Sequence, residues 1–112
     1  MIINEKLLSD TGWQDITLLN GVTARDNTDV YKPQIRKIGN IVFIKGQINI
    51  PSHNSNIIMF NIPSNYRPKY EVQMIGFDQR NSWIRPSDGN VVVKADTTAR
   101  SSQSINNCWL IK

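Results

Sequence analysis

"QIRKIGNIVFIKGQINIP", Gln34–Pro51, decides the fold. Ile35 and Lys37 alternate with Arg36 and Ile38, the period of a strand. Gly39-Asn40 follows, and both residue types tolerate positive φ, which suits a two-residue hairpin turn. The return run, Ile41 to Ile50, sets Val42, Ile44, Gly46, Ile48 and Ile50 on one side, with Ile41, Phe43, Lys45, Gln47 and Asn49 on the other. A long strand with one apolar face needs a second sheet to cover it. Phe43 stands on the polar side, so it is expected at an interface or under a neighbouring chain.

The same grammar extends to both ends. Upstream, "TGWQDITLLNGVTA" (residues 11–24) brings Trp13, Ile16 and Leu18 close to one face, and Asn20-Gly21 marks a turn or bulge. "DNTDVYKP" (26–33) reads as a loop. Downstream, "IIMFNIP" (57–63) is a strand stopped by Pro63, and "YEVQMIGFD" (70–78) is a further strand. "SWIRPSDGNVVVKAD" (82–96) is a second hairpin centred on Asp88-Gly89, a pair suited to a type I′ turn, with Pro86 marking an edge strand. "TTARSSQSINN" (97–107) reads as a long polar loop, and "CWLIK" (108–112) as a short, mostly buried final strand. Turn signals recurring every ten or so residues predict an all-β chain of about seven or eight antiparallel strands, a β-sandwich or jelly-roll-like barrel. Residues 1–11 are expected to form a short stem or linker, and residues 12–112 the head domain.

Bulk properties narrow the function. The chain has 112 residues, enough for one domain with one core. No apolar run has the length of a membrane helix, and the start "MIINEKLLSD" is too interrupted for a signal peptide. Cys108 is alone, so an internal disulfide or a cysteine metal cluster is impossible. Thirteen basic residues against nine acidic give a net charge of +4, but the basic residues are scattered. That pattern is a solvated surface rather than a nucleic-acid tract. The strands also lack interleaved aromatic and basic residues on one face, which weighs against single-strand nucleic acid as a partner. No catalytic motif, phosphate loop or metal motif is present, so the chain reads as non-enzymatic and without a cofactor. The lone histidine, His53, lies in a Ser/Asn-rich loop.

Binding is the natural alternative. Trp13 and Trp109 lie in apolar runs and are expected in the core. Trp83 differs, because Asp78, Arg80, Asn81 and Arg85 surround it in sequence. Sugars are held by this mixture: an aromatic face covers the C–H patch of the ring, while carboxylate, amide and guanidinium groups meet the hydroxyls. Trp83, Asp78, Arg80, Asn81, Arg85 and His53 are therefore the candidate ligand residues.

One corner, "FNIPSNYRPKY" (60–70), ties these elements to a family. Phe60 and Ile62 end a core-facing strand, Pro63 stops the pairing, and Pro68 restricts Arg67 to extended geometry. Asn65 is expected to adopt positive φ, and Tyr66 to pack its ring on the sheet while its hydroxyl meets a backbone group. With Gly12-Trp13, Leu18-Leu19-Asn20-Gly21, Arg36-Lys37, Gly39, Val42, Gly46 and Asp88-Gly89 in the same order, the chain resembles the C-terminal head domains of phage tail fibres and baseplate proteins. That pattern carries tyrosine, leucine and glycine where this chain has Ile35, Ile62 and Asn65. The resemblance implies a homotrimeric head on the virion tail that binds saccharide or teichoic-type polymer on the bacterial surface, among other tail proteins, with no membrane insertion. It assigns no catalytic residue and makes Phe60, Pro63, Tyr66, Arg67 and Pro68 an architectural corner. A tail-assembly module contacting only virion proteins is the alternative from another class.

Overall fold

The computed structural model describes residues 9–74 and 81–111, and these fold as an all-β unit of three antiparallel sheets. Eleven strands are formed among the described residues, more than expected. They are β1 (Gln14–Asp15), β2 (Thr23–Ala24), β3 (Gln34–Ile38), β4 (Ile41–Lys45), β5 (Gln47–Ile50), β6 (Ile57–Asn61), β7 (Val72–Gln73), β8 (Ser82–Ile84), β9 (Asn90–Val93), β10 (Arg100–Ser104) and β11 (Asn107–Leu110). The first sheet runs β1-β3-β4-β11, the second β10-β5-β2, and the third β6-β9-β8-β7. Of the expected stem, residues 1–11, residues 1–8 lie outside the described residues, and Asp10 bridges to Ile38 of β3.

The first hairpin forms as its alternation requires, with Arg36 opposite Phe43 and Ile38 opposite Ile41. The long return strand is in fact two. β4 belongs to the first sheet and β5 to the second, and the chain changes sheet at Gly46, where φ is 127°. The apolar alternation survives the break, because one residue is skipped without changing face. Val42, Ile44, Ile48 and Ile50 are all buried. They join Ile35 and Trp109 of the first sheet and Phe60, Ile84, Val91 and Val93 of the third in one continuous core. Burial of aliphatic side chains at this density is the main stabilising term. The three sheets wrap one core, as a β-sandwich does.

Four local expectations change. "TTARSSQSINN" is not all loop: Arg100–Ser104 pairs with β5 as an edge strand, through backbone bonds that its polar side chains do not advertise. The closing strand buries only Trp109, and Cys108 and Leu110 face outward. The second hairpin turns through Pro86–Gly89 rather than through two residues, with the Arg85 N–H bonded to the Asn90 carbonyl at 2.9 Å. Pro86 lies in that turn, and β8 is an inner strand between β9 and β7. Phe43 is half-buried.

At the Asn20-Gly21 turn, both residues have positive φ and the Val22 N–H closes onto the Leu19 carbonyl at 3.1 Å. The turn docks on β6, where a bulge between Ile58 and Phe60 frees carbonyls. Leu19 N–H donates to Met59 O at 2.8 Å, and Asn20 Nδ2 to Ile58 O at 2.7 Å.

The corner is closed by its own side chains. Ser64–Tyr66 makes one turn of 3-10 helix, so Asn65 does not take positive φ. Arg67 is extended, at φ −73° and ψ 141°. Tyr66 is buried, but its hydroxyl donates to a side chain, Gln14 Oε1, at 2.9 Å rather than to the backbone. Trp109 Nε1 donates to the Tyr66 carbonyl at 2.7 Å. Trp109→Phe removes that donor and leaves a buried carbonyl unpaired. A stability loss of about 2 kcal/mol is expected, seen as a lower denaturation midpoint with an unchanged slope.

Candidate functional site

The Trp83 cluster is only partly brought together. Asp78 and Arg80 lie outside the described residues. Trp83 is half-buried on β8, between Gln73 and Val92. Arg85 turns to its own hairpin, bonding Asp88 through Nη2 at 2.7 Å and Nε at 3.3 Å. The Asp88 carboxyl is held below its usual range first by the Asn90 N–H, then by Arg85 and Arg67. Asn81 is exposed, and its carbonyl accepts from Lys94 N–H at 2.9 Å. The Lys94 carbonyl in turn lies 2.8 Å from His53 Nε2, while His53 Nδ1 lies 2.8 Å from the Pro51 carbonyl. His53 also forms a β-bridge with Asp96. Both ring nitrogens face backbone carbonyls, so the imidazole sits between two loops.

The chemistry sought around Trp83 is assembled instead around Trp13. This residue is not in the core: it is 39% exposed on the outer face of the first sheet. Its ring lies 5.8 Å from Arg36 Cζ and 5.3 Å from Lys45 Nζ. Both cations rise from that same outer face, since Arg36 is opposite Phe43 and Lys45 opposite Gln34. Cations beneath an indole hold it by attraction to the ring quadrupole. Arg36 is fixed in turn by a forked pair with Asp10, Nε to Oδ1 at 2.9 Å and Nη2 to Oδ2 at 2.5 Å. Gln34 Nε2 donates to Asp15 Oδ1 at 2.9 Å. Lys45 Nζ donates to the Asp29 carbonyl, and Lys32 lies 3.8 Å from both Asp15 and Asp29.

Aromatic and basic residues therefore do share one face, contrary to the sequence reading. Their charge is balanced locally, however, by Asp10, Asp15 and Asp29. What results is a solvent-facing indole bordered by guanidinium, carboxylate and amide groups. Sequence reasoning missed it because Asp10, Trp13, Arg36 and Lys45 come from separate segments. The one usable signal was Arg36 and Lys45 both falling on the polar side of the first hairpin.

Asp10 also reports on this surface. Its carboxyl is lowered from 3.8 to about 2, chiefly by the Arg36 hydrogen bond and then by the Gly12 N–H. A depressed carboxyl adds stability above its unfolded value and loses it as pH falls toward its folded value. Acid should therefore weaken the attachment of residues 10–12 to β3 between pH 3.8 and about 2. Asp10→Asn should lack that loss, as followed by amide exchange at Gly12 and Ile38. Compared with models of known families, with curated proteins and with solved structures, the chain matches none.

Proposed function

We propose that the chain is a non-catalytic receptor-binding head of a phage tail that recognises saccharide on the bacterial surface. The phage assignment rests on the ordered motifs from Gly12-Trp13 to Asp88-Gly89. The saccharide reading rests on one observation, the exposed Trp13 framed by the Asp10–Arg36 fork, Lys45 and Gln34–Asp15. An indole face covers the C–H patch of a sugar ring, and the planar polar groups around it meet hydroxyls. Local charge balance favours a neutral saccharide over a nucleic-acid strand, which would need uncompensated cations.

Weak single sites gain from multiplicity, and a trimer supplies it. Ile41 and Leu110 face each other across β4 and β11 and are both exposed, Leu110 at 59%. An apolar pair of this kind is suited to burial in a subunit contact. The same pair also fits the second reading, a tail-assembly module that touches only other virion proteins.

Titration with purified host cell-wall polysaccharide separates these readings. Wild type should bind, and Trp13→Ala should weaken binding by about tenfold to a hundredfold, on the scale of a lost stacking platform. Trp83→Ala should bind like wild type. Loss in Trp83→Ala with none in Trp13→Ala would return the site to Trp83, and no binding by wild type would favour the assembly module. A salt-dependent shift with an oligonucleotide would revive nucleic acid as the ligand.

A further inference from the structure

The first half of the corner carries a feature its architectural role does not explain. Asn61, Ile62 and Pro63 pass beside the segment leaving β1 and leave a cleft of about 260 Å³. Its reachable apolar lining comes from Ile16, Leu19 and Pro63, over a floor of buried Ile35 and Ile62. Its polar lining comes from Asp15, Thr17 and Asn61.

These polar groups are strongly biased toward accepting. Asn61 Nδ2 spends its hydrogens on the Asp88 carbonyl at 2.8 Å and on Asn90 Oδ1 at 2.7 Å. What its amide still offers is the acceptor Oδ1. Asp15 Oδ1 takes the Gln34 amide at 2.9 Å, which leaves Oδ2 as a second open acceptor. Thr17 is exposed, and its hydroxyl works either way. A ligand here must bring its own donors and an apolar surface. It must also be close to neutral. Lys32 Nζ lies 3.8 Å from Asp15 Oδ1, so a ligand cation would compete with a balanced carboxylate. An anion would meet that carboxylate directly.

We propose that this cleft takes a single neutral sugar ring, its hydroxyls donating to Asp15 and Asn61 and its C–H face on Ile16, Leu19 and Pro63. The cleft is smaller than the roughly 300–1,000 Å³ of sites that enclose a drug-sized ligand, so one ring fits and an oligosaccharide does not. The assignment rests on the saccharide reading above and gives it a second contact, which shares Asp15 with the Trp13 surface but does not use the indole. The corner then has two jobs: Tyr66 and Arg67 hold the fold, and Asn61 to Pro63 line the cleft.

The test is chemical-shift mapping on the isotopically labelled chain with glucose, galactose and N-acetylglucosamine at millimolar concentration. Glucose 6-phosphate and ethanolamine serve as charged probes. Neutral sugars should shift the methyls of Ile16 and Leu19 and the side-chain amide of Asn61, and the charged probes should leave them still. Thr17→Phe fills the mouth without removing any hydrogen bond described above, and should weaken the sugar response by about tenfold or more. Trp13→Ala should leave the cleft response unchanged, with unchanged amide dispersion certifying the fold of both variants. The proposal is overturned if charged probes shift these groups more than neutral sugars do. It is equally overturned if sugars shift only the Trp13 surface, or if Thr17→Phe keeps the wild-type response. Host polysaccharide bound undiminished by Thr17→Phe would remove the cleft but keep the receptor reading. Sugar in the cleft with no polysaccharide binding would keep the cleft and remove that reading.

Discussion

Gly46→Ala is expected to destabilise the chain by about 4 kcal/mol, a large share of the roughly 5–15 kcal/mol that holds a domain together. Two causes add. Gly46 has φ of 127°, a region essentially closed to residues with a Cβ. The added Cβ would also fall 2.7 Å from Pro33 Cα, 2.9 Å from Pro33 N and 3.0 Å from the Lys32 carbonyl carbon. All three are backbone atoms, so no side-chain rotation relieves the clash. Retreat is blocked on other sides too. Gly46 N–H donates to Asn106 Oδ1 at 2.9 Å, and its carbonyl accepts from Ile105 N–H at 3.0 Å. Since Gly46 is where one run of chain leaves the first sheet and enters the second, the strain falls on the joint between sheets. A thermal melt should show the transition lowered by about 15 °C. A shift of only a few degrees would mean that the joint is soft and that the two sheets do not depend on it.

That joint shows where sequence reading stops. The period of two between Ile41 and Ile50 was legible and gave the buried face correctly, because alternation reports which side is covered. It does not report which neighbour is paired. Gly46 looked like one more small residue on the apolar side. Only the approach of Pro33, thirteen positions earlier in the chain, turns it into a crossing point. β10 was illegible for a related reason. Arg100–Ser104 has almost no apolar side chains, and its place is fixed by backbone bonds to β5 and by the buried amide of Gln103. Turn chemistry was legible in part. Asn20 and Gly21 both take positive φ and the Gly39-Asn40 turn forms with Gly39 alone at positive φ, whereas Asn65 takes none and the Asp88-Gly89 hairpin turns through four residues.

The candidate site followed the same division. Trp83 stood out because polar residues adjoin it in sequence, but β8 ends at Ile84 and Arg85, past the strand, is spent on Asp88 of its own turn. The Trp13 surface is built across strands, from residues that meet through β1, β3 and β4. Its parts were visible singly. Their meeting required the register of two strand pairs, β1 with β3 and β3 with β4, which no single segment encodes.

Gly89→Ala should cost about 3 kcal/mol, and the loss should depend on Arg67. Gly89 sits at φ 74°, where an L side chain is already strained. Its Cβ would enter well inside contact distance of both the Ile62 carbonyl oxygen and Arg67 Nε, with Arg67 Cδ at 3.1 Å. Those first two atoms are partners, since Arg67 Nε donates to Ile62 O at 2.9 Å. The methyl would therefore wedge the bond that closes the corner. Gly89 also gives its carbonyl to Ile62 N–H at 2.7 Å, so the hairpin cannot swing away without releasing β6. In an Arg67→Ala background the bond and half of the clash are already gone, and adding Gly89→Ala should cost about 1 kcal/mol less. Denaturant unfolding of the four proteins measures this coupling. Strict additivity would mean that Gly89 is required only for its φ, and that the Asp88-Gly89 hairpin and the "FNIPSNYRP" corner are separate features. A coupling of the expected sign makes them one device, in which the arginine of the corner reaches back to a glycine that leaves it room.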